Sequence, residues 1–120
     1  MGELIVQISA TDILETFEHY KKAFNATQIS LARGSVNEPI HLEMDILGNK
    51  VAIAPFAPHE IIKGNVMRIY LRFDNNKEAL LNAFNVLKEG GQTEGLHTYP
   101  WNELEGYVTD KYGVVWCIGL

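Results

Sequence analysis

A chain of 120 residues with 47% hydrophobic and 21% charged residues has one domain's worth of length and enough apolar mass for a core without staples. Its net charge of −5, with basic residues scattered apart from Lys21-Lys22, argues against nucleic acid as a partner, because the chain repels phosphate overall. A single cysteine, Cys117, excludes an intrachain disulfide, and no apolar run approaches the roughly 20 residues of a membrane helix. The segment Met1-Gly2-Glu3-Leu4-Ile5-Val6 lacks the pattern of a secretion signal, so the expectation is a cytoplasmic protein away from membranes.

Leu4 to Ser9 reads as a strand, and Asp12 as the cap of a helix from Ile13 to Phe24. Ile13, Phe17, Tyr20 and Phe24 recur at helical spacing, while His19 is taken as a surface residue. A short strand over Gln28 to Ala32 precedes the loop Arg33 to Pro39. Strands His41 to Leu47 and Lys50 to Phe56 follow, joined by Gly48-Asn49, two residues that tolerate the positive φ of a tight hairpin.

The second half repeats the order. Val66 to Phe73 reads as a strand ending at Asp74-Asn75-Asn76, and Lys77 to Lys88 as a helix with Leu80, Leu81, Phe84 and Leu87 as its apolar set. Gly90-Gly91 stops that helix. A weak strand over Gln92 to Thr98 and strands Glu103 to Thr109 and Val114 to Leu120 complete the chain, the last two joined by the turn Asp110-Lys111-Tyr112-Gly113. His59 and His97 fall in expected loops. Asp12 aligns with Asp74, and Phe17, Tyr20 and Phe24 align with Leu80, Ala83 and Leu87. The pattern is a single α+β domain of two tandem βαβββ modules, about 1–57 and 65–120, with a linker containing Pro58 and Gly64.

Strand parity assigns the faces. Leu4, Val6, Ile8 and Ala10; Leu42, Met44 and Ile46; Met67, Ile69, Leu71 and Phe73; and Val114, Trp116 and Ile118 should lie under the helices. Ile5, Gln7 and Ser9; His41, Glu43 and Asp45; Arg68, Tyr70 and Arg72; and Val115, Cys117 and Gly119 should point the other way. Two readings of those mixed faces stand at this point. They line an open cup with convergent polar groups, or they are solvated faces whose charges pair with little net effect.

Several segments carry a family resemblance. Phe17-Glu18-His19-Tyr20-Lys21-Lys22-Ala23-Phe24-Asn25-Ala26 resembles the FYxxAFGA helix of PhnB-like proteins. His41-Leu42-Glu43-Met44 resembles their third-strand motif, Trp101 their tryptophan before the penultimate strand, and Asp110 to Trp116 their DPFGxxW ending. Asn25 and Lys111 depart from that pattern, both at turns. The resemblance implies the paired-module fold of the vicinal oxygen chelate superfamily (glyoxalase, dioxygenase and bleomycin-resistance proteins) and a homodimer.

Metal-using members of that superfamily place one ligand on each of four strands. Counting from the turns puts Ile5, Ala52 (or Ala54), Arg68 and Cys117 at those positions, so no metal and no cofactor are expected here. His41 and Glu43, two apart on one strand face, are either a displaced metal pair or a hydrogen-bonded pair. Cys117 is either a thiolate activated by Arg68 or an inert core residue.

Two functions remain. One is a metal-free module that binds a small molecule, possible anions included, through Gln7, His41, Glu43, Arg68, Tyr70, Trp101, Tyr107 and Cys117, drug sequestration of the bleomycin type among its forms. The other is a lyase-like or dioxygenase-like enzyme with a displaced site using His41 as acid or base beside Glu43.

Overall fold

The computed structural model describes residues 2–55 and 61–120. The linker residues Phe56, Pro58 and His59 lie outside the described residues. The chain forms two compact units, Met1–Ile62 and Lys63–Leu120. Each contains one helix and one mixed sheet.

The first unit runs β1 (Val6–Ser9), α1 (Ile13–Phe24), β2 (Thr27–Arg33), β3 (Pro39–Ile46) and β4 (Asn49–Ala54). Its sheet order is β1-β4-β3-β2, with β1 parallel to β4 and the other pairs antiparallel. Asp12 caps α1 as expected, its Oδ1 accepting from Glu15 N at 3.0 Å. Asn25 closes the helix in the left-handed region (φ 55), a conformation that asparagine, second to glycine, tolerates. The helix packs on β3 and β4. Leu42, Met44 and Ile46 are fully buried, each contributing about 1.5–3 kcal/mol of hydrophobic stabilisation.

The second unit runs β5 (Ile69–Arg72), α2 (Lys77–Leu87), β6 (Gln92–Thr93), β7 (His97–Tyr99), β8 (Asn102–Thr109) and β9 (Val115–Gly119). Its sheet order is β5-β9-β8-β6, with β5 parallel to β9 and β7 also pairing with β8. The helix packs on β8 and β9. The registers repeat those of the first unit. Gln7 pairs with Ala52 and Ala52 with Glu43, while Tyr70 pairs with Cys117 and Cys117 with Tyr107. Ala10 N donates to Ala54 O and Phe73 N to Gly119 O, both at 2.9 Å. The duplication seen in the sequence is therefore a repeat of pairing geometry, residue by residue. Asp110 ties its own turn to Trp116, six residues on. Its Oδ1 accepts from Tyr112 N and Val114 N at 3.0 Å, and its Oδ2 accepts from the buried Trp116 indole at 2.9 Å.

Several expectations are corrected. Leu4 is 86% exposed and precedes β1, and Val66 and Met67 are exposed ahead of β5; among the described residues none of the three pairs with a strand. The cap of α2 is Asn76, whose Oδ1 accepts from Ala79 N at 3.1 Å, rather than Asp74; Asp74 and Asn75 both take positive φ and add one residue relative to the first unit. Leu81 is exposed and the buried stripe of α2 is Leu80, Ala83 and Leu87. His19 is only 7% exposed, because it lies three residues after Thr16 and four before Ala23 on the buried stripe. The expected strand over Gln92 to Thr98 is broken into β6 and β7, and His97 opens β7 rather than lying in a loop.

The β3–β4 turn is Leu47-Gly48, not Gly48-Asn49, since Ile46 pairs with Asn49. Keeping Ile46 in the ladder and buried forces Leu47 to a positive φ of 52. Asp45 Oδ1 accepts from Gly48 N at 2.9 Å, and Asn49 Nδ2 donates to Leu47 O at 3.1 Å. A left-handed leucine costs about 1–2 kcal/mol. Leu47→Asn creates the favoured Asn-Gly turn and should raise unfolding free energy by about 1 kcal/mol in urea titration; an unchanged midpoint refutes this account of the turn.

Candidate functional site

In the second unit, the face of the sheet opposite α2 collects the residues that parity singled out. Tyr70, Cys117 and Tyr107 form one row across β5, β9 and β8. Arg72, Gly119, Glu105 and His97 form the next. Arg68 precedes β5 by one residue, and its guanidinium carbon lies 5.3 Å from the centroid of the Tyr107 ring. That is a cation–π distance.

Glu105 is the residue the sequence analysis missed. It is 4% exposed, and its carboxylate ties two of the expected site residues together. Oε1 accepts from the Tyr70 hydroxyl at 2.5 Å, and Oε2 accepts from the Trp101 indole at 3.1 Å. Tyr99, also missed, stacks on Trp101 with centroids 4.9 Å apart and planes inclined by 14°. The signal that could have found Glu105 is the duplication itself. Glu43 matches Tyr107 in register, so His41, two residues earlier, matches Glu105.

The electrostatics follow from these contacts. The hydrogen bond to Glu105 pushes the Tyr70 phenol above its ordinary range. Tyr107 is also pushed up, first by the charge that an ionised Cys117 would carry. Burial, reinforced by the Glu105 charge, pushes the Cys117 thiol up, and this outweighs the opposing hydrogen bond from Tyr107 and the charge of Arg68. Of the two readings of Cys117, the buried neutral thiol is therefore favoured over a thiolate activated by Arg68. Arg72 is partly committed, donating from Nε to Leu120 O at 2.9 Å.

In the first unit, Gln7 and Glu43 flank Ala52 in the equivalent row. Glu43 Oε1 accepts from Ser30 Oγ at 3.2 Å rather than from His41, so the expected His41–Glu43 hydrogen bond is not formed. Ser30 reaches Glu43 because the register shifts between Gln28 and Ser30 bring the two residues opposite each other.

The positions that the resemblance assigns to metal ligands do not fit a divalent cation. Ile5 and Ala52 have no side-chain donor atom, and Arg68 is itself a cation, which leaves Cys117 as the one ligating side chain among the four. Among the described residues there is no group of three or more His, Cys, Asp or Glu side chains that could hold a metal ion. Among the same residues, no helix is long and apolar enough to cross a membrane.

Solved structures match this architecture over nearly its full length. A PhnB protein from Bacillus cereus superposes with a TM-score of 0.79 at 21% identity, covering 99% of this chain and 98% of that chain. A glyoxalase-related enzyme from Fulvimarina pelagi gives 0.72 at 16% identity, covering 98% and 86%. The fosfomycin resistance protein FosX from Listeria monocytogenes gives 0.74 at 13% identity, covering 98% and 91%. The fold is that of the vicinal oxygen chelate proteins. No protein-family model matches the chain, and no curated protein does. Within the vicinal oxygen chelate fold this chain is thus an α+β protein of two tandem βαβββ units, with PhnB, glyoxalase-related and FosX proteins among its structural neighbours. Activity does not follow from that fold, which serves unrelated chemistries.

Gly119 is what admits the Glu105 hub. A Cβ there would lie 2.8 Å from Asn102 Nδ2 and 3.1 Å from Glu105 Oε1. Neither group can retreat cheaply, since Asn102 Nδ2 donates to Leu120 O at 2.9 Å and Glu105 holds two donors. Gly119→Ala should cost about 1–3 kcal/mol by overpacking and shift Trp101 fluorescence as its indole is released. A variant with wild-type stability and emission would show that the carboxylate is not confined in this way.

Proposed function

We propose that this protein binds a small organic anion without a metal ion, on Arg68 and the aromatic side chains around it. The observation that carries this reading is the exposed Arg68 guanidinium lying 5.3 Å from the Tyr107 ring centroid, at a position where the resemblance would put a metal ligand. A guanidinium offers a fixed positive charge and a forked pair of donors to a carboxylate or phosphonate. Tyr70, Trp101 and Tyr107 remain 48%, 66% and 45% exposed, so their ring surfaces are available to a ligand. Glu105 holds Tyr70 and Trp101 in place beforehand, which lowers the ordering cost of binding. Acid–base chemistry at His41 and Glu43 has less support, because the Glu43 carboxylate is engaged by Ser30.

The test is a thermal-shift screen of small carboxylates and phosphonates in the presence of a chelator. A ligand at about a hundred times its Kd should raise Tm by about 10 °C, and Arg68→Ala should abolish the shift. A divalent ion retained at one per chain through purification, or an undiminished shift in the Arg68 variant, overturns the proposal.

The resemblance further supports a cytoplasmic homodimer. Light scattering should then return about twice the 13.5 kDa chain mass at micromolar concentration, and a monomer mass would rule that assembly out.

A further inference from the structure

Where the first unit places one continuous strand, β2, beside β3, the second unit places two short pieces beside β8. The break falls at Glu94-Gly95-Leu96, with Gly95 at a φ of 93 that suits glycine. It leaves a groove of about 490 Å³ lined by Gln92, Thr93, His97, Tyr99, Tyr107 and Thr109, with Glu94 and Gly95 at the break. That size lies within the range of small-molecule sites, about 300–1,000 Å³.

Two of the lining residues are aromatic and differ in what holds them. Tyr99 is backed by Trp101, and Trp101 is tied to the buried Glu105. Tyr107 carries the Arg68 guanidinium against its ring. The groove therefore has a stiff aromatic wall, and it shares Tyr107 with the cation. His97 is itself fixed, with Nε2 at 3.0 Å from Glu94 O. Gln92 and Thr109 supply amide and hydroxyl groups along the lining. Flat aromatic walls, polar groups along the lining and a guanidinium against the Tyr107 ring, itself outside the lining, match a planar ring bearing one anionic group.

We infer that this groove holds the planar aromatic ring of a carboxylate ligand, the ring against Tyr99 and Tyr107 and the carboxylate on Arg68. The inference rests on the anion-binding reading above and adds the ligand class and its orientation. It also assigns Gln92, Thr93, Tyr99 and Thr109, none of them expected from the sequence, to the binding surface.

The test uses two probes, 2-naphthoate for ring plus charge and acetate for charge alone, followed by NMR on the full chain. 2-Naphthoate should bind about tenfold more tightly than acetate and move the ring protons of Tyr99 and Tyr107 through its ring current. Gln92→Trp, which fills the groove from an exposed edge position, should reduce 2-naphthoate affinity to that of acetate. Arg68→Ala should weaken both probes. If acetate binding depends on Arg68 but 2-naphthoate gains nothing and leaves Tyr99 and Tyr107 unshifted, the groove assignment fails and the anion site stands. If Arg68→Ala binds both probes like the wild type, or neither probe binds the wild type, both readings fail. The ring-current shifts are read on the wild-type protein, so a misfolded variant would not blunt the result.

Discussion

A buried carboxylate organises the helix-free face of the second unit. Glu105 sits on the central part of the sheet, over a glycine that leaves it room, and accepts hydrogen bonds from Tyr70 and Trp101. A buried charged group without partners is costly, so the two donors are a condition of its presence there as well as a consequence. Because Trp101 in turn stacks on Tyr99, one carboxylate determines the position of three aromatic side chains. The remaining ring, Tyr107, is set by its place in the Tyr70–Cys117–Tyr107 row and by Arg68 above it.

The two units show how one pairing geometry can carry different chemistry. Gln7, Ala52 and Glu43 occupy the row that Tyr70, Cys117 and Tyr107 occupy in the repeat. In the first, two polar side chains flank an alanine; in the second, two tyrosines flank a cysteine. The outer strand differs as well. It is continuous in the first unit, with β-bulges, and interrupted in the second, where the interruption opens a groove. Glycine at 95 and the loss of ladder pairing between Thr93 and His97 are local changes, yet they give the second unit a concave surface beside its aromatic row.

The fold was largely legible from periodicity and turn residues. Alternation in His41 to Ile46 and helical spacing in Ile13 to Phe24 placed the right side chains under α1, and the tandem repeat placed both sheets. Leu4, Val66 and Met67 fit an alternating pattern but pair with no strand among the described residues, so pattern alone extended the strands too far. His19 was assigned by its polarity rather than by its place on the helix, and the helix buried it. The turn was placed at Gly48-Asn49 because both tolerate positive φ, but the burial of Ile46 puts it at Leu47-Gly48 instead.

By itself the sequence determined the duplication, the two helices and the burial parity of the central strands. These depend on spacing along the chain and on the chemistry of single residues. Only the tertiary structure decided that Glu105 joins Tyr70 to Trp101, that burial keeps Cys117 a thiol beside Arg68, and that Tyr99 and Tyr107 share a groove. Those facts depend on strand register, where residues 35 positions apart come within hydrogen-bonding distance, and on the exclusion of water around them.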